Sequence, residues 1–432
     1  MKTFFSTLKE AHKVPLDLSL LVLITITVPF SINICNLFII ISFLYSLYLL
    51  VTKQRKPLLF NFLFIFPFLF FIVTIISALL SKNLDKGVTE INKALLFFII
   101  PFIILILYQK KEYLSKLLFG FLLSTTVSTL ILLCHTAIKY VQGNSLNTLF
   151  FHEFTRLYDQ HPVYFSLNIA LSVFILNALF FKQQALSKKS SLLFTATSLI
   201  LFLGILFCAS KIILVIFFIL YSIQILSVTI KQRVKVAIIG TFLLLGSIAI
   251  TKTDLGNRFQ EVLKTNFIPF SPTQDIKKAK VFSYNEKETI SDLELRLLIA
   301  KIGLFHQIKD RKLLFGYGVG DTQDYLDYYY MTYGLAPNWY EGHNLHNQYL
   351  QIWVTYGILF FMVFIGYLFA SAHTYFTIKN NLFIFFIVTV LIAFLFESYL
   401  VRNKGIIFFF FFNSVFLAHS YLVKQSKKPI SL

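Results

Sequence analysis

The stretch EGHNLHNQYLQIWVTYGI, Glu341 to Ile358, sets His343, Asn344, His346 and Asn347 within five residues, directly before a long run with hardly a charge. Imidazoles accept and pass protons, and short amide side chains cap helices. Asn347 or Asn344 is expected to cap the helix. His346 then stands at its start, beside four orphan backbone N–H groups and the positive end of the dipole. Such a position favours a bound anion and suits a general base facing a phosphorylated substrate. Two blander readings compete with it. A His343–His346 pair could ligate a metal, although no third ligand of sensible spacing stands nearby. Alternatively, both histidines are incidental to a structural cap. Tyr349, Trp353 and Tyr356, at helical spacing, read as packing more than as a sugar platform.

A membrane frame must position these side chains. The chain has 432 residues, is 57% hydrophobic and only 14% charged, and holds 52 phenylalanines. Soluble chains carry roughly 25% charged residues, so the membrane class is indicated before any motif is read. The first apolar run begins near Leu16 without a small-residue cleavage site behind it, and is expected to be a retained helix. Cys35, Cys134 and Cys208 each fall inside an apolar run, far apart, so neither a disulfide framework nor a metal-binding cysteine spacing is present.

A transmembrane helix needs about 20 mostly apolar residues. Candidates lie near 16–34, 35–51, 58–80, 94–108, 114–137, 163–181, 191–209, 212–230, 234–251, 349–372, 382–400 and 405–423. The runs are continuous, without the alternation of a β-barrel. The expected fold is an all-α integral membrane bundle of about twelve spans. Residues 1–251 would hold spans one to nine, 252–348 a large outer loop, and 349–432 the last three spans. One alternate set of connectors is short and basic: KQRK (53–56), QKKE (109–112), KQQALSKK (182–189), KQRVK (231–235) and IKNN (378–381), with the tail KQSKK (424–428). That set belongs on the cytoplasmic side, which puts both termini there. The outer loop has as many acids as bases, so the net charge of +19 comes from the rest of the chain. Positive-inside bias and anionic headgroups account for it, and a nucleic-acid partner is unnecessary.

The loop 252–348 is too long for a simple connector. Within it, SDLELRLLIAKIGLFHQIKDR (291–311) places Leu293, Leu297, Ile299, Ala300, Leu304 and Ile308 near helical spacing. Ser291 and Glu294 form a prospective capping box, and Arg296 sits in the first turns. The helix is expected to lie along the membrane-facing surface of the bundle. Gly316, Gly318 and Gly320 lack the spacing and βαβ context of a nucleotide loop, so a tight turn is the expectation. Exposed amides of such a turn can nonetheless hold an anion. The tyrosines of DYLDYYYMTYG (324–334) are of the kind that stack on sugars or sit at a lipid interface. Glu397, an acid in an apolar run, reads as an ion-pair partner of Arg402.

HNQYLQIWVTYGI resembles the stretch of the O-antigen ligase and polymerase superfamily in which HN-x-YL opens the helix after the large periplasmic loop. RLLIAKIGLFHQIKDRKLLFGYGVGD (296–321) resembles that family's loop helix, with its arginine and glycine turn. EFTRLYDQHPVYFS (153–166) resembles its outer His-Pro segment, and LFESYLVRNKGIIFFFFFN (395–413) the last two spans of ligase-like members from Bacteroidetes-type bacteria. The likeness is dense in the second half of the chain and only topological in the first third. It implies transfer of a glycan from undecaprenyl diphosphate to an acceptor hydroxyl at the periplasmic face of the bacterial inner membrane, by a metal-independent, inverting displacement without a cofactor. His346 matches the family's base and Arg296 the arginine that grips the diphosphate. Where the family has a second arginine this chain has Lys211, in CASKII, which keeps the charge but loses the fork. Either Lys211 serves there or Arg156 has taken over. His161, His343, Asn347 and Tyr349 would support the acceptor side, His161 either orienting the acceptor or capping the span after Pro162.

Within this class a ligase acting on lipid A–core is the first expectation. A polysaccharide polymerase is the runner-up, and a protein O-oligosaccharyltransferase a third. A lipid-linked oligosaccharide flippase would need polar residues along the middle of several spans and no such loop. A non-catalytic scaffold would not need clustered His and Arg residues.

Overall fold

Short polar side chains open several of the helices. Ser31, Asn61, Asn83, Ser291, Asn347 and Asn380 each precede a helix and accept a hydrogen bond from its first turn. They satisfy backbone N–H groups that an apolar surrounding could not. The computed structural model describes residues 14–58, 61–180, 188–228, 232–252 and 267–427, with Gly256 and Gln260. The helices are α1 (Leu16–Thr27), α2 (Ile32–Val51), α3 (Phe62–Leu79), α4 (Leu84–Leu107), α5 (Tyr113–Val141), α6 (His152–Thr155), α7 (Pro162–Phe180) and α8 (Lys188–Cys208). They continue as α9 (Lys211–Ser227), α10 (Gln232–Lys252), α11 (Tyr284–Thr289), α12 (Asp292–Lys309), α13 (Thr322–Thr332), α14 (Gln348–Ile378), α15 (Asn381–Ala393) and α16 (Asn403–Lys427). No strand occurs among the described residues.

Each of the twelve apolar runs coincides with a helix. Eight of these (α2, α3, α4, α5, α7, α8, α14 and α16) are long and apolar enough to cross a membrane, and α1, α9 and α15 are apolar but shorter. The basic connectors at 182–189 and 231–235, the tail at 424–428 and the first part of the outer loop lie wholly or partly outside the described residues. Two boundaries differ from expectation. The segment SKNLDKGVTEIN is no loop: Asn83 caps Leu84 onward, so α4 begins ten residues early. The eleventh run stops being helical at Ala393 and continues as irregular chain with a 3-10 turn at Tyr399–Val401.

Apolar side chains gather in two clusters. One runs through the bundle, including Phe66, Phe70, Phe97, Phe364, Phe386 and Phe410. The other gathers residues between Phe270 and Val354 and includes Phe270, Phe282, Leu298, Ile302, Tyr330 and Tyr333. Two of the tyrosines read as stacking rings are therefore core residues, and Tyr328 is exposed. Ser291 caps α12 as expected, but Glu294 does not complete the box: its carboxylate accepts the Ile268 N–H at 2.6 Å. The reciprocal box stands instead at Ser283 and Glu286, heading α11.

A seam joins the glycine turn to α14. Tyr317 N–H donates to the Val354 carbonyl at 2.9 Å, Gly318 N–H to Thr355 at 3.0 Å, and Ile358 N–H to Leu313 at 2.9 Å. Helix α14 breaks at Gly357, whose φ of 84° admits this close approach. Val319 and Gly320 N–H donate to the hydroxyls of Ser77 and Ser81. The turn's amides are thus spent within the protein and do not form an anion nest. Beyond them, the Asp321 carboxylate accepts the N–H groups of Lys82 and Asn83 at 2.8 Å each. It ties the chain ahead of α13 to the turn before α4. Asp321→Ala leaves two donors unpaired and is expected to cost about 2 kcal/mol. A thermal melt in detergent should show a midpoint lower by a few degrees.

Candidate active site

The start of α14 is stitched to the irregular chain after α15. Gln348 N–H donates to the Phe394 carbonyl at 2.7 Å, and Asn347 Nδ2 to the Leu395 carbonyl at 3.0 Å. The Arg296 guanidinium, reaching across from α12, takes the Phe396 carbonyl. Leu400 N–H closes the set on Gln348 Oε1 at 2.6 Å. Three successive carbonyls are held by three different partners, which fixes where the next residue, Glu397, can point.

Glu397 points at His346. Its Oε2 lies 3.5 Å from His346 Nδ1, with the glutamate side chain 12% exposed and the histidine 27%. That is an ion-pair distance, long for a hydrogen bond, and Nδ1 has no closer partner. Catalytic contacts commonly stand long until substrate arrives. Burial alone would raise the Glu397 carboxyl. The contact with His346, with Arg296 nearby, outweighs it and holds the group below the usual carboxylate range. His346 sits in the left-handed region at φ 44°, its N–H donating to Asn344 Oδ1 at 2.9 Å. A non-glycine residue there costs of order 1–2 kcal/mol, offset by the surrounding bonds. Asn347, not Asn344, caps the helix, through Leu350 N–H at 3.0 Å. The expected pairing of Glu397 with Arg402 is replaced by this one: no carboxylate lies within 4 Å of Arg402 among the described residues.

His161, just ahead of α7, lies within electrostatic reach of Glu397. Its Nδ1 accepts the Val163 N–H at 3.3 Å, and its ring meets that of His152 edge-on at 4.8 Å. Burial pushes the imidazole down to about 4, against the pull of Glu397 and with the charges of His152, Arg402 and His346. His161 is therefore a neutral neighbour, and it also caps the helix.

The other candidates divide. Lys211, at the start of α9, has a side chain only 14% exposed and places Nζ 3.4 Å from Asp292 Oδ2. Asp292 is in the first turn of α12, one turn before Arg296, so Lys211 and Arg296 serve one helix end. Arg156 is 75% exposed and lies 3.2 Å from Glu153, which also holds Lys139. Tyr349 donates to the Leu391 carbonyl at 2.8 Å and packs on Phe394, while Trp353 stacks on Phe361. Both are packing residues. The His343 ring lies 5.8 Å from that of His346, with Nδ1 near the Glu341 carbonyl. Among the described residues no three His, Cys, Asp or Glu side chains form a group that could hold a metal ion. Glu397 is the site residue whose role the sequence did not disclose. The available signal was an acid inside an apolar run.

Residues 196–365 match the family model described as O-antigen ligase. The match takes in Lys211, Arg296 and His346, and leaves His161 and Glu397 outside it. No curated protein matches the chain.

Proposed function

We propose that this chain, an O-antigen ligase-type membrane protein over its residues 196–365, moves a glycan from undecaprenyl diphosphate to a hydroxyl of lipid A–core. In this reading all twelve apolar helices cross the bacterial inner membrane, both termini lie in the cytoplasm, and residues 252–348 stand in the periplasm above the site. The observation that carries the reading is the His346–Glu397 pair, held by α14 and Arg296 at one end of the bundle.

The chemistry follows from that pair. The carboxylate faces Nδ1, which favours the tautomer with Nδ1–H and leaves Nε2 to accept a proton. The acceptor hydroxyl gives its proton to Nε2 as its oxygen bonds to the anomeric carbon. The bond from that carbon to the diphosphate oxygen breaks with its electron pair. Glu397 stabilises the imidazolium as it forms. Charge growing on the diphosphate is met by fixed cations, for which Arg296 and Lys211 are the loop-side candidates.

The test is transfer by purified protein given undecaprenyl-diphosphate-linked glycan, with and without lipid A–core, read as new glycolipid on a gel. Glycan on the core supports the ligase. Growth of carrier-linked chains instead makes the enzyme a polymerase, and no product from either arm overturns the reading. Glu397→Gln is expected to lower kcat by about 10²-fold or more with KM nearly unchanged, since it removes the partner of His346 and not a substrate contact. An equal rise in KM would make Glu397 a binding residue instead.

A further inference from the structure

A cavity of about 120 Å³ lies between α3, the first half of α4, the start of α13 and the start of α14. Sites for drug-sized ligands run to roughly 300–1,000 Å³, so this one suits a single small ring. Its polar lining is mostly amide and hydroxyl: Gln323, Asn344, Gln348, Gln351, Thr322 and Thr355. The charged residues on its wall, Glu90 and Lys93, answer each other at 2.6 Å and leave it neutral. Nothing in this lining is built for a phosphate.

Part of the lining is spent on the protein and part is not. Gln351 Oε1 accepts the Leu345 N–H, and its Nε2 donates to the Thr355 hydroxyl. Gln348 is 1% exposed and its Oε1 takes the Leu400 N–H, yet its Nε2 has no hydrogen-bond partner among the described residues. Asn344 Nδ2 is likewise without one, while its Oδ1 holds the His346 N–H. Gln323 donates to Asp327 and to the His343 carbonyl, and its own oxygen accepts nothing among the described residues. A buried amide left half-paired is what a ligand group would complete. Free donors and a free acceptor around a neutral space match hydroxyls, which give and accept at one atom. The floor is different. Phe70 and Phe97 stack there with ring centroids 4.2 Å apart, and Tyr356 meets Phe70 edge-on at 5.4 Å. A pyranose divides in the same way, into C–H faces and a rim of hydroxyls. Asn344 and Gln348 also stand two residues either side of His346, so a ring held by them lies beside the base.

We infer that this cavity seats one uncharged pyranose ring next to His346, its hydroxyls met by Gln348, Asn344 and Gln323 and its apolar face laid on Phe70 and Phe97. The inference rests on the reading of the chain as a glycosyltransferase. The ring comes from one of two sources: the acceptor sugar that carries the attacking hydroxyl, or the first sugar of the transferred glycan.

Saturation-transfer NMR tests it, with the methyl glycosides of glucose, galactose and N-acetylglucosamine added to the full-length protein in nanodiscs and methyl glucuronide as the charged counterpart. At least one neutral glycoside should take up saturation, and the glucuronide much less. Gln348→Glu keeps an acceptor for the Leu400 N–H and removes the free donor, and should cut that signal at least fivefold. Ala94→Leu, at a buried wall position, should do the same by filling the space. Transfer kinetics then separate the sources. A KM raised at least tenfold by Gln348→Glu for lipid A–core places the acceptor sugar in the cavity, and the same rise for the carrier-linked glycan places the donor sugar there. A fall in kcat with both KM values unchanged would make Gln348 a support of His346 and overturn the assignment. So would glycoside signals unaltered in both variants, a glucuronide bound as well as the glucoside, or a wild type that transfers glycan yet binds none of the glycosides. A wild type that transfers nothing would instead bring down the proposed function.

Discussion

His346→Ala is expected to reduce glycan transfer by about 10³-fold, the span a lost general base removes. Substrate binding and the fold should survive. The residue's N–H bond to Asn344 and the Asn347 cap involve backbone and neighbours, not the imidazole. Alanine does strain at a φ of 44°. His346→Asn is the sharper control, because asparagine tolerates the left-handed region and removes the base equally. Initial rates on a glycolipid gel, alongside a melting curve for each variant, check the pair. If both variants melt like wild type and still transfer within tenfold of its rate, proton transfer to His346 is not the chemistry.

The second large effect is on folding. At Gly357, φ is 84° and ψ 172°, a region open essentially to glycine alone. A Cβ there would overlap the Leu314 carbonyl, and one at Gly316 would overlap the Thr355 carbonyl across the same seam. Neither backbone can retreat without breaking the three hydrogen bonds from Tyr317, Gly318 and Ile358. Gly357→Ala is therefore expected to cost about 3–5 kcal/mol, among the largest single-residue effects. Its midpoint in detergent should fall by roughly 5–10 °C. Because His346 stands two residues ahead of α14, on the same side of the Gly357 break as the seam, transfer should fall with it. Gly366→Ala, a glycine of the same helix with open space around its Cβ position, should melt like wild type.

Much of this architecture was readable from apolar runs, because a chain in lipid must close its backbone hydrogen bonds inside helices. Capping chemistry was readable too, at Ser291 and Asn347. The buried face of α12 was not. Of the expected stripe Ile299 is buried and Leu304 packs on the core, but Leu297 and Ile308 are exposed, while Glu294, Leu298, Ile302, Gly303, His306 and Gln307 are buried. Apolarity ceases to signal the interior on a surface that lipid can cover. The first ten residues of α4 were missed because their charges resemble those of a connector, although Asn83 marks the helix start. Glu397 was paired with the nearest cation in sequence. Its observed partner is 51 positions away and is chosen by the stitching of residues 394–397 to α14 and α12.

The account stands on one direct displacement in which His346 activates the acceptor and Glu397 only orients His346. The anomeric configuration of the new glycosidic bond tests this most directly, read by NMR on product made by the purified enzyme from a donor of known configuration. Inversion is the expected result. Retention would require a covalent glycosyl intermediate on a side chain such as Glu397, and would contradict the roles given to both residues.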